Sequence, residues 1–298
     1  MPISNKTPKA LPFLLLIHIH LFASTADMLI FSCNRPLQLY AFCESLEHYV
    51  TGLHEIHVLY RAREEKFEHG YNEVKKRFSS IHFTRQGTDP YTDFKPLTLE
   101  AIYKSPSTYI IFGVDDIIVK DYINIKECID LMEQSKTYGF YLRLGTNITY
   151  SYNLNQPQKV PQLNAIKQGI YTWQFKQGEV SWRYCNLLDM ALYRKTDIRH
   201  DFEIMQYRNP NNLEETWAKQ AHKNLEKFGL CYKKSKIVNI PLNIVQDNLF
   251  TNNPHMHAYS PDELLEIFNR GLKIDIQPLF GIINTSPHME YFPEFISR

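Results

Sequence analysis

Glycine is scarce in this chain, at 11 residues of 298. Neither GxGxxG nor GxxxxGK[ST] occurs, so the glycine-rich cradles that hold dinucleotides and P-loop phosphates are excluded. The five cysteines (Cys33, Cys43, Cys128, Cys185, Cys231) include no CxxC pair, which argues against a zinc site of the usual spacing. Their odd number and wide scatter fit buried thiols in a reducing cytosol. Charge of one sign is not in excess: 33 basic residues face 32 acidic ones, for a formal net charge of +1. A nucleic-acid partner would need a basic face, and that balance offers none. No internal repeat or low-complexity stretch is visible, and no apolar run is long enough to span a bilayer.

The chain does contain apolar and aromatic residues in quantity, 44% and 13% of the total. That is enough for the core of one large domain or two small ones. Near the N-terminus, Lys6 and Lys9 precede an apolar stretch from Leu11 to Phe22, and then come Ala23-Ser24-Thr25-Ala26. The pattern is similar to a secretory signal. Against that reading, the stretch is short, contains Pro12, His18 and His20, and leads straight into an apolar strand. We read residues 1–26 as an uncleaved leader that touches a membrane surface or nothing, and 27–298 as the folded domain of a cytoplasmic chain with at most peripheral membrane contact.

From Asp27 to Val119 strand-like and helix-like stretches alternate. Asp27–Cys33, Glu55–Tyr60, Ile81–Phe83 and Tyr109–Val119 read as strands; Pro36–Val50, Phe67–Phe78 and Phe94–Tyr103 read as helices. Such alternation predicts an α/β fold with a central mixed, mainly parallel sheet in three layers. Beyond it, Asn124–Ser135 reads as a helix, Gly139–Leu144 as a strand and residues 146–181 as a long irregular excursion. Leu187–Tyr193 reads as a strand, Arg194–Ile198 as a basic turn, Leu213 to about Phe228 as a helix, and Pro261–Gly271 as a helix capped by Ser260.

The most informative stretch is Tyr109 to Val119, where a continuous apolar run meets Asp115-Asp116. A run of this kind fits a strand buried on both faces, and parallel sheets present ligands at the carboxyl ends of their strands. Adjacent carboxylates repel unless a cation or strong donors share the site. Oxygen ligands suit Mg²⁺ or Mn²⁺ with substrate phosphates. An ordinary strand end or helix cap could also carry aspartate.

Taken together, Ser32-Cys33-Asn34-Arg35-Pro36 after the first strand, Val114-Asp115-Asp116, Met190–Ile198 and Leu213-Glu214-Glu215-Thr216-Trp217 resemble, in order and spacing over about residues 27–245, the GT-A fold glycosyltransferases, family-2-like and of bacterial type. The resemblance implies a nucleotide-sugar donor, a DxD-like metal motif binding Mg²⁺ or Mn²⁺, and transfer to an acceptor hydroxyl with inversion. It places Asn34, Arg35 and Asp115 at the nucleotide, Asp115 and Asp116 at the metal, and Glu214 or Glu215 as catalytic base; Lys95, by its charge alone, could steady the diphosphate. There are departures. The second strand ends in Tyr60-Arg61 rather than acidic residues, the last motif reads Glu-Glu, and no Gln-x-x-Arg-Trp is present, which speaks against a processive synthase. Were Asn211 the N-cap, Glu214 would sit at a capping-box position instead. Arg194-Lys195 could steady the diphosphate, His255 or His257 could add a ligand, and Trp173 or Trp182 could stack on an acceptor ring, although solvation or core burial explains each as readily. Two rivals stand beside this reading: a nucleotidyltransferase acting on sugar phosphates, whose glycine-rich basic loop is missing, and a non-catalytic glycan-binding relative.

Overall fold

The computed structural model describes residues 24–243 and 259–298. The leader up to residue 23, and with it His255 and His257, lies outside them. The central sheet has nine strands: β1 (Ala26–Cys33), β2 (Leu53–Arg61), β3 (His82–Arg85), β4 (Tyr109–Val114), β5 (Gly139–Tyr141), β6 (Asn164–Lys167), β7 (Ile170–Gln174), β8 (Ala191–Arg194) and β9 (Phe228–Tyr232). Their order across the sheet is β6-β7-β9-β5-β8-β4-β1-β2-β3. Only β7 and β8 run against the others. Among the described residues seven α-helices accompany it: α1 (Pro36–Tyr49), α2 (Glu65–Arg77), α3 (Pro90–Tyr103), α4 (Ile125–Ser135), α5 (Lys195–Ile204), α6 (Pro210–Lys219) and α7 (Pro261–Asn269).

Strand alternation sorts the core into two apolar layers. Met28 and Ile30 of β1 pack with Leu39 and Phe42 of α1, Tyr71 and Val74 of α2 and Leu264 and Phe268 of α7. Leu29 and Phe31, on the opposite side, join Phe94 and Ile102 of α3, Ile198 and Phe202 of α5 and Leu213 and Trp217 of α6. Both faces of the sheet are therefore covered, as a continuous apolar strand such as Met28–Phe31 requires. Gly113 permits the close approach of α1: a Cβ there would lie 2.9 Å from the Phe42 ring.

Several sequence expectations need correcting. The Tyr109–Val119 run is two strands, because the chain turns at Asp115-Asp116 and Ile117–Val119 pairs antiparallel with Ile237–Asn239. The excursion is partly ordered, since β6 and β7 form a hairpin that widens the main sheet. Trp173 and Trp182 are both fully buried, edge to face at 5.1 Å, so neither offers a ring to a ligand. The Leu187–Tyr193 strand begins only at Ala191, since Met190 takes the left-handed conformation, φ 50°. Arg194–Ile198 is no solvated turn: Lys195 opens α5, and Arg194 donates to the Met132 and Thr137 carbonyls at the end of α4. The helix expected from Leu213 starts at Pro210, capped by Asn209, and ends at Lys219.

At the amino edge of the sheet, Asp27 is completely buried and meets the Lys195 ammonium at 2.7 Å. Ser107 and His54 also bond it. Burial opposes its ionisation, but these partners prevail and hold its pKa below the usual carboxylate value. Removing one member of a buried pair strands the other charge. Lys195→Met should therefore lower unfolding free energy by about 3–5 kcal/mol, and adding Asp27→Asn should recover much of it. Urea unfolding of the two variants beside the wild type checks both.

Candidate active site

The carboxyl ends of β1 and β4 meet at Asn34-Arg35 and Asp115-Asp116. Asn34 takes φ 53°, a conformation that asparagine tolerates better than most residues. Its amide donates to the Arg61 carbonyl and its side chain accepts from the Arg63 N–H at 2.9 Å, so it fastens the ends of β1 and β2 together. Arg35 follows and turns inward. Its Nη1 meets Asp115 at 2.9 Å and Asp116 at 3.4 Å, its Nε donates to Asn243 Oδ1, and its Nη2 to the Asn243 carbonyl. Asp115 also accepts from the Cys33 N–H. Burial raises its pKa and the Arg35 guanidinium opposes that rise. With both oxygens engaged, Asp115 shapes the turn. Asp116 is the more open of the two, its side chain 15% exposed against 5%.

The antiparallel ribbon brings Asn239 to Asp116. Asn239 Nδ2 donates to Asp116 Oδ1 at 3.2 Å, and the Ile240 N–H donates to the Asp116 carbonyl at 2.8 Å. Asn239 Oδ1 is buried with no hydrogen-bond partner. A backbone bridge joins Asn239 to His288. His288 lies within electrostatic reach of Asp116, Asp189 and Arg143; burial pushes its pKa down and outweighs the two carboxylates. An open carboxylate and an orphaned amide oxygen are oxygen donors of the kind a hard divalent cation takes, and His288 lies within electrostatic reach of that carboxylate.

Arg143 follows β5, and Asp189 precedes β8, which runs the other way, so the two meet at the same sheet edge. They form a buried ion pair at 2.8 Å. Beside them stands Glu214 of α6. Leu213 and Trp217, four residues apart, bury the inner face of that helix. Trp217 packs against Tyr193 at 5.1 Å and Phe202 at 4.9 Å. With the helix fixed, the Glu214 carboxylate accepts the Leu188 N–H at 3.1 Å. Burial, then the negative Asp189, raise the Glu214 pKa to about 7. A capping role does not apply, because Asn209 caps the helix through the Asn212 N–H and Glu214 is one turn further in.

The remaining sequence candidates lie elsewhere. Glu215 is exposed and pairs with Lys219 at 2.7 Å on the outer face of α6. Lys95 on α3 donates at 2.7 Å to the Glu203 and Met205 carbonyls at the end of α5. Sequence reasoning missed Arg143, Asp189, Asn239, Asn243 and His288. For the first two a signal existed, a lone charge within an apolar run (Tyr141-Leu142-Arg143-Leu144, and Leu187-Leu188-Asp189-Met190-Ala191). The others carry no local signal. A separate group, Asp27, His54 and Glu55, brings ligand atoms within 4.8 Å of one another. It could hold a cation, but it lies at the opposite edge of the sheet, roughly 20 Å along β1 at about 3.3 Å per residue, and Lys195 already neutralises its buried member.

No protein-family model matches the chain. It is 28% identical over 153 residues, 48% of its length, to the bifunctional glycosyltransferase pgtA of Dictyostelium discoideum. Over that stretch the chain is similar to a glycosyltransferase. It spans 19% of that relative's length, so the likeness concerns one part of a longer protein. Among solved structures, S. aureus TarS in complex with UDP overlays 72% of this chain and 59% of its own, with 11% identity and a TM-score of 0.46. The mannosyltransferase PcManGT of Pyrobaculum calidifontis, in complex with GDP-Man and Mn²⁺, overlays 69% and 54%, with 7% identity and a TM-score of 0.41. Overlays this loose say nothing of substrate. Among the described residues no helix is long and apolar enough to cross a membrane.

A carboxyl whose pKa is raised by folding favours the fold while protonated and opposes it once ionised. The Glu214 contribution is thus fully present below about pH 4.5 and lost as pH rises through about 7. Glu214→Gln should exceed the wild type in unfolding free energy above pH 7, by roughly 3–4 kcal/mol for a rise from 4.5 to about 7 at about 1.4 kcal/mol per pKa unit. The two should converge below pH 4.5, and thermal melts across that range read the crossing.

Proposed function

We propose that this chain transfers a sugar from a nucleoside diphosphate donor to an acceptor hydroxyl, with a divalent cation and with inversion at the anomeric carbon. The observation that carries the reading is the convergence of Asp116 and Glu214 on one sheet edge, with His288 electrostatically coupled to Asp116 and to Asp189 beside Glu214. A donor site and an acceptor base are what such a transfer needs. Asp116, with Asn239 and His288, would hold Mg²⁺ or Mn²⁺, which when bound offsets the charge of the departing diphosphate. Asp115 and Arg35 keep Asp116 in place from behind.

Glu214 is the base in this reading. Its pKa of about 7 suits proton removal near neutral pH. It takes the proton of the acceptor hydroxyl as that oxygen bonds to the anomeric carbon and the bond to the diphosphate breaks. Asp189 is committed to Arg143 and serves as the negative neighbour that keeps Glu214 basic. With no second free carboxylate beside it among the described residues, direct displacement is favoured over a covalent intermediate. The partial sequence likeness to a glycosyltransferase supports the same reaction class.

Calorimetric titration with UDP and GDP, with and without Mn²⁺, tests the donor half. One nucleotide should bind in a metal-dependent way, and Asp116→Ala should abolish it while the melting temperature holds. Absence of binding to both overturns this reading. Glu214→Gln should leave nucleotide affinity intact and lower kcat by about 10²–10⁴-fold, with loss of a pH–rate limb near 7. Unchanged turnover in that variant would remove Glu214 from its role.

A further inference from the structure

Strand order dictates how a donor must lie. β1 is flanked on one side by β2 and then β3, and on the other by β4, with β8 and β5 beyond. The order thus reverses between β1 and β4, and open α/β sheets take ligands at the carboxyl ends beside such a reversal. Asp116 stands there. Glu214 is held by the Leu188 N–H, just ahead of β8. In a direct displacement the attacking oxygen, the anomeric carbon and the departing diphosphate lie in line. The donor sugar therefore occupies the β8 side of Asp116. The nucleoside lies beyond the diphosphate, over the ends of β2 and β3.

Arg61 closes β2 at that place. It pairs with Cys33 of β1, and Phe31 of β1 pairs with Val114, two residues before Asp116. Arg61 and Asp116 thus flank β1 at one level, two strand spacings or about 10 Å apart. Alternation puts Arg61 on the same face as Leu59, the face covered by α3 and by α6, the helix of Glu214. The side chain is half-buried. Its Nη2 reaches the Thr88 carbonyl, beyond β3, at 3.5 Å, which is long for a hydrogen bond. Among the described residues no carboxylate pairs with it. Those around the ends of β2 and β3 hold other partners. Glu68 has Tyr60, Lys75 and Arg85, Asp93 has Gln86 and the Gly87 N–H, and Asp89 caps α3 through the Tyr91 N–H.

An uncommitted guanidinium selects among bases. It offers only donors, in a planar fork, and two adjacent acceptors on one edge of a base match that fork. Guanine presents N7 and O6 in this way. Adenine sets an amino group beside N7, and uracil sets N3–H between its two oxygens. The acceptor pair of cytosine, N3 and O2, crowds against the ribose, whereas a guanidinium reaching towards the loop after β3 meets a distal edge. Resting on the transferase reading above, we infer that the donor nucleotide is a guanosine diphosphate and that Arg61 recognises its guanine through N7 and O6. Arg61 is a binding residue and takes no part in the bond-making step.

Calorimetric titration of the full chain with GDP, UDP, CDP and ADP, each with Mn²⁺, tests the inference, and inorganic diphosphate serves as the probe without a base. GDP should bind at least about tenfold more tightly than the other three, the order by which a bidentate pair discriminates. Arg61→Ala should weaken GDP by about the same factor and leave UDP and inorganic diphosphate unchanged. Arg61→Lys keeps the charge, loses the fork and should not restore GDP. Melting temperatures of both variants should match the wild type, since the guanidinium has no partner closer than 3.5 Å. Tightest binding of UDP, CDP or ADP overturns the inference and leaves the transferase reading standing. The same holds for unaltered GDP affinity in either variant, and for a loss in Arg61→Ala that inorganic diphosphate shares, which marks a phosphate contact. A chain that binds none of the four nucleotides overturns the donor reading itself, and the inference with it.

Discussion

The buried guanidinium of Arg35 is the constraint on which the site depends. It ties together three separate stretches of chain: the end of β1, the Asp115-Asp116 turn after β4, and Asn243 beyond the ribbon. None would hold its place alone. Two adjacent carboxylates at a strand end repel, and one of them is buried where ionisation is penalised. The guanidinium resolves this by giving Asp115 a short ionic hydrogen bond and touching Asp116 more loosely. The asymmetry has a chemical result. One carboxylate is consumed as structure, and the other retains some access to solvent and to ligands.

The same division recurs on the other side of the cleft. Asp189 is occupied by Arg143, and Glu214 is left with only a backbone N–H. In both places an arginine anchors one carboxylate so that a neighbouring one stays available. What distinguishes the two halves is the net charge around the free group. Near Asp116 the positive arginine is in direct contact, at 3.4 Å. Near Glu214 the closer influences are burial and the negative Asp189, which favour the protonated form. A cation-binding group and a proton acceptor call for that contrast.

Much of this was legible in the sequence. The strand and helix succession from Met28 to Val119 could be read because Met28–Phe31 and Tyr109–Phe112 are continuous apolar runs buried on both faces and the helix from Glu65 to Arg77 gathers its apolar residues on one face. Asp115-Asp116 stood out as charge at the end of an apolar strand. Where reading failed, long-range contacts had decided the outcome. Nothing local distinguishes Lys95, which ends on the carbonyls of α5, from a phosphate-binding lysine. Arg35 reads as a solvated helix start, yet it is buried by a segment over two hundred residues away. Leu187–Tyr193 has the composition of a strand, but pairing between Met190, Phe112 and Leu142 forces a left-handed residue and delays the strand to Ala191. His288 could not be singled out, because its partners come from three different parts of the chain.

The sheet also ends in a telling way. Its two outermost strands, β6 and β3, are short and largely exposed, and they terminate in Lys167 and Arg85. An open strand edge is a template on which another chain can extend the sheet. A long, flat apolar border would turn a nine-stranded platform into a seed for stacking between molecules. Brevity and a cation at each border leave such an intruder little to pair with and an unfavourable charge to bury. The breadth that lets one sheet carry residues from β1, β4, β5 and β8 to a common cleft is thus compatible with the molecule remaining a separate particle at high concentration.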